Sequence, residues 1–277
     1  NVPAAPTFTN PSNYYNKLNL VLDAGGNPAD TKFAIAISTD NFATTSYIQN
    51  DNTVGAVLGG EDYQTYTAWG GGSGFSVIGL APSTTYKVKV KAFQGKFSES
   101  GYGPSASAAT VSPQLSFDID VSAADTDTNP PFATTFPSLT AGAVQDSPEK
   151  IWVDFSTNAE NGGRVYIYGQ NAGLKSDATT TTIPSASGDL SSLASGFGAQ
   201  GSTVSQGSGG PMGMVAPYTG AAQVVGIIDT TVREIFSATA PVAGGRASLV
   251  LKAKSSSVTP AANDYGDILT LIASANY

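Results

Sequence analysis

The chain has 277 residues, of which 40% are hydrophobic and 12% charged, and it carries a net charge of −8 with no Cys and no His. The absence of both residue types excludes disulfides, zinc sites built from Cys or His, and catalysis by a Ser-His-Asp or Cys-His arrangement. The acidic balance excludes nucleic acid as a partner, since no basic patch is available for phosphates.

Prolines shape the beginning of the chain. Pro3, Pro6 and Pro11 predict an extended stretch that forms either an edge strand or a free arm, because proline lacks the donor that a central strand needs. An extended arm can add a strand to the sheet of a neighbouring molecule. We therefore name a first candidate assembly arm here, with the contact residues Val2, Pro3, Pro6 and Phe8.

Short apolar strands separated by turns follow the arm. Period-two patterns predict strands over residues 17–22, 32–38, 75–80, 85–92 and 105–111. In the strand at 85–92, Tyr86, Val88 and Val90 share one face while lysines occupy the other. Leu80 and Pro82 stand just before this strand, so Tyr86 suits a tyrosine corner, in which the ring hydroxyl bonds to upstream backbone.

Residues 75–86, which read Phe-Ser-Val-Ile-Gly-Leu-Ala-Pro-Ser-Thr-Thr-Tyr, resemble a fibronectin type III domain. The turn at 98–104 and the strand at 106–111 fit the last turn and strand of that family. The resemblance implies a β-sandwich over residues 1–113 that binds or spaces and rarely catalyses. The chain departs from the family in its second strand, where Leu18 or Leu20 replaces the usual Trp.

A second departure is the length of the middle segment, residues 41–74, which we interpret as the place of a contact surface. Tyr63, Tyr66 and Trp69 lie there among polar and glycine residues. Aromatic rings offer a large contact area with a polar handle, which suits sugar rings. These three residues are the candidate glycan contact.

Ser112-Pro113 is typical of a short linker, and a second β pattern covers residues 114–277. Strands are predicted over residues 115–121, 150–155, 164–168, 224–228, 232–237, 247–253 and 267–273. Asn161-Gly162-Gly163 predicts a hairpin turn between the second and third of these strands. The fold class is therefore all-β, with two Ig-like or jelly-roll-like β-sandwich domains in tandem.

The end of the chain, residues 259–273, has a Pro followed by small residues, then Tyr265 and a terminal apolar strand. This ending is similar to that of bacterial secreted β-sandwich proteins, including spore-coat-like and pilin-like subunits and WxL-type surface domains. The resemblance implies a surface or filament subunit. Ile268, Leu269 and Leu271 form the second candidate assembly arm.

Acidic residues cluster at the start of the second domain. Asp118, Asp120, Asp125 and Asp127 could supply oxygen ligands to Ca²⁺, which is the one cofactor that the sequence suggests. The alternative is a solvated strand face and a polar turn, because the spacing is not that of an EF-hand. No pattern pairs carboxylates as a glycosidase requires, so we predict no enzymatic activity.

These features predict a secreted structural subunit of an extracellular filament or surface layer at the cell surface. Its partner is further copies of itself, joined head to tail by strand addition, which produces a fibre because such a contact does not close. Asn1 at the first position fits either a secreted chain whose leader has been removed or a fragment of a longer chain. No apolar run reaches the roughly 18–20 residues of a membrane span.

Two alternatives remain open at the level of the sequence. The chain could be a carbohydrate-binding or adhesin module of a cell-surface protein, with glycans as partners. It could also be a phage structural protein, since such proteins carry similar domains.

Overall fold

The computed structural model describes residues 1–95 and 98–277, and the chain forms two compact units, Asn1–Pro113 and Gln114–Tyr277. Strands dominate both units. Among the described residues, helical structure is confined to three short 3₁₀ turns, Gly60–Asp62, Gly71–Ser73 and Leu190–Ser192. The predicted all-β fold class is confirmed.

Antiparallel strands build two sheets in the first unit. In chain order the strands are β1 (Thr7–Thr9), β2 (Leu18–Val21), β3 (Lys32–Ser38), β4 (Ser46–Ile48), β5 (Val54–Gly55), β6 (Gln64–Thr65), β7 (Phe75–Val77), β8 (Thr85–Gln94), β9 (Ser98–Glu99) and β10 (Ala106–Ala109). One sheet has the order β1-β2-β7. The other has the order β10-β8-β3-β4-β5, with β6 paired to β3 and β9 to β8.

The inner faces of these two sheets share one hydrophobic core. Leu18 and Leu20 of β2 meet Phe33 and Ile35 of β3 there, and all four are fully buried. The hydroxyl of Tyr86 accepts a hydrogen bond from the backbone N–H of Ala81 at 2.8 Å, which is the predicted tyrosine corner. The sandwich and its corner confirm the fibronectin type III-like fold of this unit.

The second unit is also a sandwich of two main sheets, and it has two further sheets of two strands each. In chain order its strands are β11 (Leu115–Ser122), β12 (Val144–Asp146), β13 (Lys150–Thr157), β14 (Gly163–Gly169), β15 (Gly173–Lys175), β16 (Thr182–Pro184), β17 (Gly188–Asp189), β18 (Gly196–Ser205), β19 (Ser208–Gly209), β20 (Met212–Met214), β21 (Val224–Val225), β22 (Arg233–Ala238), β23 (Val242–Lys254) and β24 (Leu269–Ala275). One sheet has the order β11-β13-β23-β12, with β18 and β19 also paired to β23. The other has the order β20-β22-β14-β24.

The predicted hairpin between residues 150–155 and 164–168 is wrong. β13 and β14 belong to different sheets, and the chain crosses from one sheet to the other between them. Phe155 and Val165 both point into the core between the sheets, where both are buried. Gly162, at a φ of +65°, allows the crossing, because a side chain is strained in this left-handed region.

Candidate functional site

The first candidate arm is part of the first unit's own sandwich. β1 pairs with β2, and Phe8 is only 5% exposed in the core. The ammonium group of Asn1 also donates a hydrogen bond within the unit, at 2.7 Å. Of the two alternatives predicted for this stretch, the edge strand is confirmed, since β1 lies at the edge of its sheet, and the free arm is wrong. Only the first of the four predicted contact residues is exposed, in the set Val2, Pro3, Pro6 and Phe8.

The candidate glycan contact is divided by the fold. Trp69 is 1% exposed, its indole N–H donates to the carbonyl oxygen of Phe33 at 2.9 Å, and its ring stacks on Phe75. Tyr66 packs against the same core. The prediction of a surface role for Trp69 is wrong, because the glycine-rich segment turns the indole inward. Tyr63 alone lies on the outer face of a sheet.

Lysines and aromatic rings alternate on that outer face. The Nζ atom of Lys89 lies 3.9 Å from the ring centroid of Phe42 and 4.7 Å from that of Tyr102. The Nζ atom of Lys91 lies 5.5 Å from the centroid of Tyr102 and 5.4 Å from that of Tyr63. We call these five residues, together with Lys87, the lysine ladder. Such cation–π contacts hold each ammonium group in place.

The lysine ladder covers the outer face of β3. Ala34 and Ala36 of β3 pair with Lys91 and Lys89 of β8, and both alanines are fully buried. Glu99 forms an ion pair with Lys91 at 2.6 Å. Although burial opposes it, hydrogen bonds to Glu99 and Tyr63 raise the pKa of Lys91. The face is therefore ordered and carries positive charge.

In the second unit, the predicted calcium ligands surround an arginine. The guanidinium group of Arg246 forms ion pairs with Asp120 at 2.9 Å, with Asp125 at 2.7 Å and with Asp154. It also lies 5.3 Å from the ring centroid of Trp152. We call this group, with the neighbouring Asp118 and Asp127, the acidic face.

The calcium interpretation of Asp118, Asp120, Asp125 and Asp127 needs correction. Asp120 and Asp125 pair with the guanidinium group of Arg246 and not with a metal ion. The sequence did not indicate Arg246 as their partner. Over residues 1–95 and 98–277, no group of three or more acids is arranged to hold a metal ion. Asp120 is also not on a solvated face, as its side chain is 2% exposed.

The acidic face has more carboxylates than cations. Burial raises the pKa of Asp154, and the nearby charges of Asp120, Asp118 and Asp125 raise it further against the opposing effect of Arg246. Asp118 and Asp127 are exposed. Lys150 also reaches this face, since its Nζ atom lies 5.5 Å from the ring centroid of Trp152. The five carboxylates still outnumber the two cations, so the surface stays negative around Arg246.

Two sheet edges run side by side on one side of the second unit. β11 pairs with β13 and β24 pairs with β14, and within the described part of the chain neither edge strand has a second ladder partner. β11 and β24 also contact each other. Each strand therefore presents backbone groups that another strand could pair with.

A groove of about 990 Å³ opens beside these edges. Ile119 and Val121 of β11 line it, and so do Leu269 and Leu271 of β24. Two connections that form no strand, residues 132–139 and 259–268, line it as well. The apolar side chains of both edge strands are half-buried here, because the groove leaves part of their surface without packed neighbours.

The second candidate arm lies in or next to β24. No residue of β24 is fully buried, whereas Val165 and Ile167 of its partner β14 are. The strand reads Leu-Thr-Leu-Ile-Ala-Ser-Ala and has neither charge nor proline. Ile268, just before it, is 65% exposed. Leu269 and Leu271 are thus paired with β14 within their own unit, and their role in assembly stays a prediction.

The connection before β24 is held near its end. Asp264 accepts hydrogen bonds from the hydroxyl of Ser176 and the backbone N–H of Ala178, and Gly266 exchanges backbone hydrogen bonds with Lys175 at 2.9 Å. Asp267 accepts from the backbone N–H of Asn171 at 2.9 Å. Burial raises the pKa of Asp267, so its charged form is disfavoured at the point where β24 begins.

Sequence reasoning identified some members of these sites and missed others. It selected Tyr63, Leu269 and Leu271, which the structure places at the lysine ladder and the groove. It missed Arg246, Phe42 and Tyr102. The alternating lysines of β8 were visible as an outward face, but the rings between them come from distant connections.

No family model and no curated protein matches this chain. Among solved structures, a two-domain fibronectin type III segment of chicken tenascin is 10% identical, covers 98% of this chain and 99% of its own, and has a TM-score of 0.29. The FN1–FN3 domains of chicken CNTN1 are 14% identical over 65% of this chain and 51% of that chain, with a TM-score of 0.27. The chitinase ChiA74 from Bacillus thuringiensis is 9% identical over 97% of this chain and 29% of that chain, with a TM-score of 0.24.

Within residues 1–95 and 98–277, the structure contains no helix that is long and apolar enough to cross a membrane.

Proposed function

We propose that the protein is a secreted structural subunit of an extracellular filament or surface layer, whose copies join by exchanging β24 between their second units. The observation that carries the proposal is the state of β24. Within the described residues it has one ladder partner, and it packs incompletely over the groove.

Exchange of an identical element costs little free energy, because the swapped strand makes the same contacts in the neighbouring copy that it makes in its own unit. The seven residues of β24 would pair with β14 of the next copy in the register seen within one chain. Opening requires release of the anchors at Asp264, Gly266 and Asp267, while the core strands stay in place. If each copy passes its strand to the next, the contact does not close and a fibre results.

The composition of β24 supports this role. Proteins usually protect exposed strand edges with charges, prolines or bulges, and β11 has Asp118 and Asp120 near its edge. β24 has none of these protections. The similarity of residues 259–273 to the ending of secreted surface subunits supports the proposed location.

A disulfide test exploits the absence of natural cysteines. Tyr166 of β14 and Ile272 of β24 are ladder partners, so the variant Tyr166→Cys/Ile272→Cys places two thiols opposite each other. In assembled material, oxidation is expected to link different copies, which appear as a series of covalent oligomers on a non-reducing gel. Electron microscopy of the same material is expected to show fibres or a lattice.

The matched control joins β14 to its other neighbour. Arg164 and Ser237 are ladder partners across β14 and β22, an internal pair that cannot exchange without unfolding the sheet. The variant Arg164→Cys/Ser237→Cys is expected to give disulfides within one chain only. Intrachain disulfides from both pairs in concentrated protein would reject strand exchange.

A further inference from the structure

The lysine ladder presents cations and ring edges to its surroundings. The ring of Tyr102 lies within cation–π distance of the Nζ atoms of both Lys89 and Lys91, so it is already in contact with ammonium groups. Rings held in this way are not free to stack on sugars. Their edges are the positive part of the aromatic quadrupole, and together with the lysines they favour an anionic partner.

The charge of the ladder is not cancelled within the unit. Lys91 is paired with Glu99, and Lys87 donates to the side-chain oxygen of Asn41 at 2.8 Å. Among the described residues, no carboxylate forms an ion pair with Lys89. Lys87 and Lys89 are half-exposed, so both charges are accessible.

The chain itself has a surface of opposite charge. Residues 1–113 have six lysines against seven acids, whereas residues 114–277 have seven basic residues against fourteen acids. The acidic face concentrates this excess on the outer side of β11 and β13. Asp118 on β11 and Asp127 on the connection that follows it are exposed, and the cations Arg246 and Lys150 are too few to balance the five carboxylates.

We infer that the lysine ladder of one copy binds the acidic face of the next copy. This contact rests on the proposed self-assembly and deepens it, because it adds an electrostatic match to the exchange of β24. The two surfaces are the outer faces of two different sheets, so the match is heterologous and directs each copy to the next. Complementary charge of this kind sets the orientation and rate of association more than its final strength.

A charge-swap series tests the contact in the full chain. Lys87→Glu/Lys89→Glu gives a protein with two negative surfaces, and Asp118→Lys/Asp127→Lys gives one with two positive surfaces. Each is expected to self-associate about 10- to 100-fold more weakly than the wild type in sedimentation experiments at low salt, because like charges then face each other. The quadruple variant and an equal mixture of the two double variants are expected to recover most of the association.

Controls separate charge from folding. Lys17→Glu/Asp23→Lys exchanges the charges of two residues that flank β2, in the sheet that does not carry the lysine ladder, and is expected to leave association unchanged. Lys87→Gln/Lys89→Gln removes the two positive charges without reversing them. Its association is expected to be weaker than that of the wild type and stronger than that of Lys87→Glu/Lys89→Glu. Unchanged association in both reversed variants, or no recovery in the quadruple variant and the mixture, would overturn the contact.

Two further outcomes are informative. If the reversed variants associate normally while the Tyr166→Cys/Ile272→Cys disulfide still links copies, the ladder contact fails and strand exchange stands. If a polyanionic glycan column retains the wild type but not Lys87→Glu/Lys89→Glu, and the quadruple variant does not associate, the ladder's partner is a glycan and the contact between copies is rejected.

Discussion

The indole N–H of Trp69 donates to the carbonyl oxygen of Phe33 at 2.9 Å, in the middle of the first unit's core. The bond ties the connection between β6 and β7 to β3, which lies 36 residues earlier in the chain. The ring also stacks on Phe75 with centroids 4.7 Å apart. Trp69 therefore supplies the core with a large buried ring from a connection and not from a strand.

Trp69→Ala is expected to destabilise the first unit by about 3–5 kcal/mol, since it removes a fully buried aromatic side chain and leaves a cavity. Trp69→Phe keeps most of the packing, so a loss of about 1–2 kcal/mol is expected from the missing donor. Urea unfolding followed by circular dichroism gives both values. A loss below about 1 kcal/mol for the alanine variant would contradict the core position.

Arg246 is expected to hold the edge strand β11 in place. Asp120 is 2% exposed, and without the guanidinium group its charge would be buried with no ionic partner. Arg246→Met is therefore expected to destabilise the second unit by about 3–5 kcal/mol. Adding Asp120→Asn should restore part of this loss, because the uncompensated charge is then absent. Additive losses in thermal unfolding would show that the two residues do not interact.

The same ion pair predicts an acid response. Although burial opposes it, hydrogen bonds from Thr128 and Arg246 lower the pKa of Asp120 below its value of 3.8 in an unfolded chain. Its contribution is present above about pH 4 and is lost as the pH falls through the lowered pKa. Stability of the second unit is thus expected to fall below pH 4.

Asp154 has the opposite effect on stability, because its pKa is raised in the folded state. As the pH falls, the folded chain takes up this proton before the unfolded chain does, which stabilises the fold. Asp154→Asn removes this opposing effect. The acid loss of stability is therefore expected to be steeper in that variant than in the wild type, as measured by urea unfolding between pH 5 and pH 2. An equal or shallower loss would count against the arrangement around Arg246.

Tyr218 predicts an alkaline response. Its ring is 1% exposed, its hydroxyl donates to the carbonyl oxygen of Ile227 at 2.7 Å, and burial raises its pKa to about 12. Between pH 10 and pH 12 the unfolded chain loses this proton while the folded chain keeps it. Stability should fall there by up to about 1.4 kcal/mol per pH unit from this group, and Tyr218→Phe should remove that part.

Removal of residues 268–277 is expected to uncover one edge of β14 and to lower the stability of the second unit. A synthetic peptide of those residues should then bind in trans, since its backbone partners lie on β14 and on the residues directly beside it, between Asn161 and Gln170. The measurement is the rise in melting temperature on titration with peptide. A scrambled peptide of the same composition is the control, and equal shifts for both peptides would argue against register-specific strand addition.

Local pattern was sufficient for strands with clear apolar alternation, but it did not predict the glycine-rich strand β18. In β8, the alternation of Tyr86, Val88 and Val90 with three lysines predicted which residues are buried, and the order Leu80, Pro82, Tyr86 predicted the corner. Both features depend on neighbours within a few residues. The same reasoning failed for the hairpin at residues 150–168, because a turn signal does not say whether the next strand stays in the same sheet.

Long-range contacts decided the sites. Arg246 lies 126 residues after Asp120 in the chain. No local pattern distinguishes a carboxylate that pairs with a guanidinium group from one that binds a metal ion. Likewise, proline near Phe8 and glycine near Trp69 indicated exposed segments, yet the sandwich buries both side chains. Burial of apolar surface lowers the free energy wherever the fold can enclose it. Alternation along a strand is a property of the chain, whereas the partner of each side chain depends on how distant strands pack.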